Sequence, residues 1–183
     1  MNLYNLKSSD MNIALTNNLR NNINMIYREK ILKRKDMINI VNERVVVTSD
    51  MYKHKLVNQD EKKIKIYLRK GLVGFITKIN QHAAITKFVP IEFRPEFYFE
   101  SFDDIILDRY HLNGILNTSR QMIPDEYIKM EYAYALTPSL ARLSHWDKVT
   151  LITDPTDDID YELRKKLIYT GITRARQSLT IVI

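Results

Sequence analysis

Residues 167–183 read Leu-Ile-Tyr-Thr-Gly-Ile-Thr-Arg-Ala-Arg-Gln-Ser-Leu-Thr-Ile-Val-Ile, so that a helical pattern runs into a β-branched one. Apolar residues at helical spacing predict a helix over residues 159–172. Residues 179–183 predict a terminal strand, and Lys148–Thr153 predicts a buried strand before the helix. The order strand, helix, strand is typical of an α/β fold.

The first part of the chain shows the same order of elements. Residues 12–16, Asn-Ile-Ala-Leu-Thr, predict a short buried strand, and Asn17 is placed to cap the element that follows. A stripe of apolar side chains then predicts a helix over residues 19–32. Residues 127–136 are also compatible with a helix. Both ends of the chain therefore indicate an α/β architecture.

The middle of the chain has the pattern of a β-rich insert. Gly71 and Gly74 bracket a turn between short strand patterns, which favours a small barrel or an SH3-like module. The predicted strands are Arg44–Thr48, Lys62–Leu68, Phe75–Ile79 and Ala84–Pro90. We therefore divide the chain into an α/β part made of residues 1–42 and 126–183, and a β-rich insert made of residues 43–125.

Four aromatic residues lie close together within the insert, at Phe97, Tyr98, Phe99 and Phe102. Such rings could stack on nucleic-acid bases. The core of a small β module is the more frequent place for them. We therefore expect this aromatic cluster to be part of the core.

The composition is that of an ordinary globular chain, with 183 residues, 45% apolar and 27% charged. There is no cysteine, which excludes disulfides, thiolate zinc sites and cysteine catalysis. The first ten residues are polar and resemble no signal peptide, so we expect an intracellular (cytoplasmic) protein without a membrane partner. The net charge of +6 suits a polyanionic partner, or reflects the solvated surface of a protein from an AT-rich genome.

The sequence also excludes some sites. Its four glycines form neither a GxxxxGK[ST] loop nor a GxGxxG fingerprint, so the chain has no P-loop of its own for the phosphates of ATP. The four histidines lie far apart without the spacing of metal ligands, and we expect no metal site.

The segment Tyr169-Thr-Gly-Ile-Thr-Arg-Ala-Arg176, followed by a buried strand, resembles motif VI of superfamily 1 helicases. The resemblance implies that Arg174 is an arginine finger, which neutralises charge on the phosphoryl group of a nucleotide held by a neighbouring domain. It also implies that Thr173 supports this arginine and that Arg176 is a second basic contact. The alternative is a pair of surface arginines at a helix end.

A second segment, Ala14-Leu-Thr-Asn-Asn-Leu-Arg-Asn-Asn-Ile-Asn24, resembles motif IV of the same helicases. That motif is a strand followed by Thr-Asn and by a helix that carries a later asparagine. The resemblance implies that Thr16 and Asn17 contact nucleic acid and that Arg20 assists in nucleotide binding.

Motif V of the RecD-like and Dda-like helicases is matched only in part, by residues 132–137 and 146–152. The spacing fits without a gap, and the resemblance implies that Thr137 and Ser139 lie on the nucleic-acid side. The residues between depart from the motif, since Leu143 stands for its glycine and His145 for its glutamate. Motif V is therefore degenerate.

Asn42–Val47 and Lys70–Ile76 resemble two pieces of the SH3-like module that interrupts the second RecA-like domain in these enzymes. The resemblance thus covers nearly the whole chain and implies the C-terminal, second RecA-like region of a UvrD/RecD/Dda-like superfamily 1 DNA helicase. The implied fold is an α/β RecA-like parallel sheet with helices, interrupted by the SH3-like insert.

The function implied is that of one part of an ATP-dependent DNA helicase, which supplies the arginine finger and part of the single-stranded DNA track. ATP and Mg²⁺ would be bound mainly by a first RecA-like domain, in the same or another chain, so we expect no activity from this chain alone. The alternative is a non-enzymatic, degenerate helicase-like module that binds nucleic acid or a replication partner.

Overall fold

A computed structural model describes residues 3–35, 39–57, 63–79, 87–114, 127–154 and 158–183. The helices are α1 (Leu3–Ser8), α2 (Asn17–Ile26), α3 (Arg109–Leu112) and α4 (Tyr161–Ile172), with a π-helical turn at Tyr27–Ile31 and a 3-10 turn at Leu140–Leu143. The strands are β1 (Met11–Ala14), β2 (Arg44–Val47), β3 (Met51–Val57), β4 (Lys63–Leu68), β5 (Val73–Ile79), β6 (Phe88–Pro95), β7 (Ser101–Asp108), β8 (Met130–Tyr132), β9 (Ala135–Leu136), β10 (Trp146–Ile152) and β11 (Ala175–Val182). These elements belong to two compact units. The chain passes from the first unit to the second after Lys35 and returns to the first after Tyr132.

The first unit contains the two ends of the described chain and is built on a parallel sheet. Its strand order is β11-β10-β1-β9, and every neighbouring pair is parallel. Helix α2 packs on one face, where Ile23 joins Ala14 and Ile152 in an apolar cluster. Helix α4 packs on the other face, where a Cβ added to Gly171 would lie 2.7 Å from Leu151 Cδ1. The α/β fold with a parallel sheet that the sequence predicts is therefore confirmed.

A buried asparagine fixes the centre of this sheet. The Asn12 side chain donates to the carbonyl oxygens of Leu6, at 3.2 Å, and of Tyr134, at 3.0 Å, while its own oxygen accepts from Ser9 Oγ. Because a buried amide is costly unless it is hydrogen-bonded, these contacts hold helix α1 and the approach to β9 against β1.

The second unit is an antiparallel sheet of seven strands in the order β4-β3-β7-β6-β5-β2-β8. Strands β5 and β6 approach so closely that a Cβ added to Gly74 would lie 2.3 Å from the Arg94 carbonyl oxygen, so the position requires glycine. The core of the unit is apolar and includes Val45, Val47, Leu68, Ile76, Val89, Ile91, Phe93, Phe102, Ile105, Leu107, Leu112, Ile128 and Met130.

In the described residues, the β-rich unit runs from residue 39 to Tyr132. The division of the chain at residues 43 and 125 stays a prediction. The prediction of a helix over residues 127–136 is wrong, because β8 pairs with β2 and β9 pairs with β1. A short apolar run does not by itself distinguish a buried strand from a helix.

Several other local predictions also need correction. Thr16, and not Asn17, caps helix α2, because its hydroxyl accepts from the Leu19 amide at 3.2 Å. The expectation of a buried aromatic cluster holds for Phe102 only, since Phe97, Tyr98 and Phe99 are exposed. Residues 84–86 and residue 62, which belong to two of the predicted strands, lie outside the described residues.

Candidate nucleotide and nucleic-acid site

Arg174 lies where helix α4 has ended and strand β11 begins, at the amino edge of the parallel sheet. Its guanidinium donates to three acceptors, which are the carbonyl oxygens of Thr170 (3.1 Å) and Arg142 (2.7 Å) and the Thr173 hydroxyl (3.0 Å). Thr173 Oγ1 in turn donates to the Thr170 carbonyl, at 2.9 Å. Thr173 therefore supports Arg174 directly, and the planar fork is held in one orientation.

The surroundings of Arg174 are basic. Arg142 and His145 lie on the segment that leads into β10, and Arg176 follows in β11. Burial lowers the pKa of His145 below its usual value of 6.5, and the charges of Arg174 and Arg176 lower it further. The cationic form of His145 is therefore disfavoured, as expected in a cluster of positive charges that suits an anion.

The predicted nucleic-acid residues lie at the opposite, carboxyl edge of the same sheet. Thr16 follows β1 and Thr137 follows β9, and Ile13 is paired with Leu136, so the two threonines follow neighbouring strand ends. The hydroxyl groups of Thr137 and Ser139 lie 3.1 Å apart. Asn17 is exposed in the first turn of α2.

Arg20 does not lie with the other predicted nucleotide-binding residues. It stands in the first part of α2, near the carboxyl edge, and its guanidinium donates to the Asn21 side chain at 2.8 and 3.2 Å. Thr173, Arg174 and Arg176 are at the amino edge. The two edges are separated by the length of β10, which is about 23 Å at roughly 3.3 Å per residue.

Two groups that hold the predicted site residues or their strands in place were not assigned from the sequence. The first is the backbone of Arg142, whose carbonyl accepts from Arg174, although the sequence marked this segment only as a departure from motif V. The second is Asn24, whose side chain accepts from the Ala135 amide at 2.8 Å and donates to the Ala135 carbonyl at 3.2 Å. Asn24 is the later asparagine of the motif IV pattern, which was the available signal.

The described ranges were searched for metal-binding groups of side chains and for membrane-spanning helices. There, no group of three or more histidine, aspartate or glutamate side chains could hold a metal ion. Of the four histidines, His82 lies outside the described residues. No described helix is both long enough and apolar enough to cross a membrane.

The parallel sheet, with helices on both faces, has the RecA-like fold. Residues 100–183 match the family model of the viral superfamily 1 RNA helicase core domain. This match covers a little under half of the chain and supports the resemblance to superfamily 1 helicases that the sequence indicated, while the UvrD/RecD/Dda-like subtype stays a prediction.

The chain is similar to solved helicase structures. The Pif1 helicase from Bacteroides in complex with ADP-AlF3 and ssDNA aligns with a TM-score of 0.50 and 11% identity, over 95% of this chain and 40% of that one. The Pif1 helicase from Candida albicans aligns with a TM-score of 0.45 and 8% identity, over 94% of this chain and 44% of that one. This chain thus spans less than half of either helicase. No curated protein matches the chain.

Proposed function

We propose that this chain is the second RecA-like domain of an ATP-dependent DNA helicase and that Arg174 is its arginine finger. The observation that carries the proposal is the guanidinium of Arg174, held by three acceptors at a helix end within a basic cluster. A transferred phosphoryl group develops charge that such a fixed fork can neutralise. Thr173 orients the arginine, and Arg176 adds a second positive charge.

ATP and Mg²⁺ belong to the complete enzyme in this proposal. Bound Mg²⁺ neutralises charge on the phosphates during phosphoryl transfer. The basic edge around Arg174 and Arg176 fits the phosphates of a nucleotide, whereas the four glycines form no P-loop to cradle them. The nucleotide is therefore bound mainly by a first RecA-like domain, in the same or another intracellular chain. Arg20 is not included in this nucleotide site, because it stands near the other edge of the sheet.

Single-stranded DNA is the proposed partner of the carboxyl edge. Thr16, Asn17, Thr137 and Ser139 place hydroxyl and amide groups at neighbouring strand ends, and such groups can bond to phosphate and sugar oxygens. The net charge of +6 adds a general attraction for the backbone. The Bacteroides Pif1 helicase was crystallised with ADP-AlF3 and ssDNA. We extend both ligand classes to the complete protein that contains this chain.

Replacing Arg174 in that complete protein tests the proposal. Arg174→Ala should lower ATP turnover with single-stranded DNA by about 10³-fold or more, while nucleotide affinity changes little. Arg174→Lys should restore little activity, because an ammonium group lacks the planar fork. Lys166→Ala, on the exposed side of the same helix, is the matched control and should retain activity. Near-normal turnover of Arg174→Ala would show that the arginine-finger assignment is wrong.

The second candidate is a non-enzymatic module that binds nucleic acid or a replication partner. It is favoured by the segment Leu140–Leu143, where the side chain of Leu143 is exposed at the position of the glycine of motif V. The side chain of leucine prevents the close approach of a ligand to the backbone that glycine permits. If the complete protein binds single-stranded DNA but shows no turnover in the wild-type form, this candidate replaces the first.

A further inference from the structure

Three consecutive aromatic side chains are exposed at the tip of one hairpin in the β-rich unit. The hairpin joins β6 to β7, and the exposed fractions are 58% for Phe97, 54% for Tyr98 and 101% for Phe99. Singly exposed apolar residues are common on protein surfaces, but a contiguous group of large rings marks a binding surface. We call residues 96–104 the aromatic tip.

The aromatic tip has a rigid base. Phe93 and Phe102, on the two strands of the hairpin, are buried with their ring centroids 6.4 Å apart. The Glu96 amide donates to the Val73 carbonyl at 2.9 Å, and its carboxylate pairs with Arg44. The three exposed rings are therefore presented by a fixed frame, and their exposure does not result from a missing core.

The charge of the aromatic tip is opposite to that of the whole chain. Residues 96–104 contain four acidic residues and no basic one, in a protein of net charge +6, while Arg44 pairs with Glu96 and Lys78 interacts with Asp103 from neighbouring strands. Asp103 and Asp104 are exposed. Single-stranded nucleic acid is bound by aromatic rings that line a positively charged groove, and the acidic tip would repel the phosphates. A cation, in contrast, gains from both the ring faces and the carboxylates.

We propose that the aromatic tip binds a basic polypeptide segment of a partner protein, with arginine or lysine side chains alternating with apolar ones. The cations lie against the rings of Phe97, Tyr98 and Phe99 and pair with Glu100, Asp103 and Asp104, while the apolar side chains cover the ring edges. This interaction is additional to the proposed helicase function and does not depend on nucleotide.

Fluorescence anisotropy with the full chain tests the proposal. The probes are a labelled short peptide of arginine, leucine and glycine, the same peptide with glutamate in place of arginine, and a labelled oligothymidylate. The arginine peptide should bind and the glutamate peptide should not. The variant Phe97→Ser/Tyr98→Ser/Phe99→Ser should weaken arginine-peptide binding by about tenfold and leave oligothymidylate binding unchanged. The variant Glu100→Gln/Asp103→Asn/Asp104→Asn should weaken peptide binding by roughly fivefold and reduce its salt dependence.

Tyr67→Ser is the matched control, because Tyr67 is a ring of similar exposure (56%) elsewhere in the same unit, and it should leave peptide affinity unchanged. The proposal is overturned if the wild-type chain does not bind the arginine peptide at concentrations up to about 1 mM, which corresponds to a binding free energy of only about −4 kcal/mol. It is also overturned if the serine variant keeps full peptide affinity. Loss of oligothymidylate binding in the serine variant, with peptide binding unchanged, would instead make the tip a base-stacking site.

Discussion

Asn24 joins helix α2 to strand β9 through two buried hydrogen bonds to a single residue, Ala135. The substitution Asn24→Ala removes the side chain that makes both bonds. It leaves the buried N–H group and carbonyl of Ala135 without these partners. Each such group costs about 1–3 kcal/mol, and the better helix propensity of alanine returns roughly 0.5 kcal/mol. We therefore expect Asn24→Ala to lower the free energy of unfolding by about 1.5–5.5 kcal/mol.

The assay is thermal and urea unfolding of the isolated chain, followed by circular dichroism. For a chain of this size, the expected loss corresponds to a decrease in Tm of roughly 3–20 °C. Hydrogen exchange should show the change locally, since the Ala135 amide loses its acceptor and with it much of its protection. The carboxyl edge would be affected too, because β9 leads directly to Thr137.

Asn22→Ala is the matched control for this prediction. Asn22 is exposed on the same helix, so the substitution brings the same gain in helix propensity without the loss of a buried partner. It should be neutral or stabilising by about 0.5 kcal/mol. If Asn24→Ala and Asn22→Ala shift Tm equally, the two bonds to Ala135 contribute nothing to stability, and the reasoning fails.

Three further predictions concern ligands and charge. The isolated chain should release no phosphate from ATP with single-stranded DNA present, because it lacks a P-loop; turnover that persists through repurification contradicts this. It should bind oligothymidylate weakly and with steep salt dependence, measured by anisotropy at two salt concentrations, and binding that is indifferent to salt would exclude phosphate contacts. The His145 pKa, measured by NMR titration, should lie below 6.5 and rise in Arg176→Ala, since removal of a nearby positive charge favours the imidazolium; an unchanged pKa would place Arg176 too far away to act.

The α/β part of the fold could be predicted from the sequence because its strands and helices carry local signals. The β-branched run before Ile183 and the apolar spacing within residues 159–172 each require only their own residues. The segment 127–136 carried a misleading signal, because its apolar run is compatible with a helix. Its three-residue and two-residue strands exist only through pairing with β2 and β1, which lie far away in sequence. Tertiary pairing decides the structure of such short pieces.

For the candidate site, the sequence indicated contacts within one motif but not the distances between motifs. Arg174 and Thr173 lie in one contiguous motif and are in contact in the structure, while their functional roles stay predictions. The separation of Arg20 from Arg174 could not be found, because it depends on which sheet edge each helix end reaches. The acceptor provided by Arg142 is a backbone carbonyl, which any residue carries, so the side-chain pattern contained no information about it.

The insertion of a whole β-rich unit between β1 and β9 bears on how fast the protein folds. Asn12 donates to the carbonyl of Tyr134, which is 122 residues further along the chain. Closing a flexible loop of that length costs roughly 4 kcal/mol of entropy, from 1.5 RT multiplied by the logarithm of the loop length. Contacts between residues that are distant in sequence slow folding, because the loop between them must first be closed. If the insert folds first, the flexible part of that loop is shorter. We therefore expect the parallel sheet to form faster when the seven-stranded sheet, with its core around Phe93 and Phe102, has already folded.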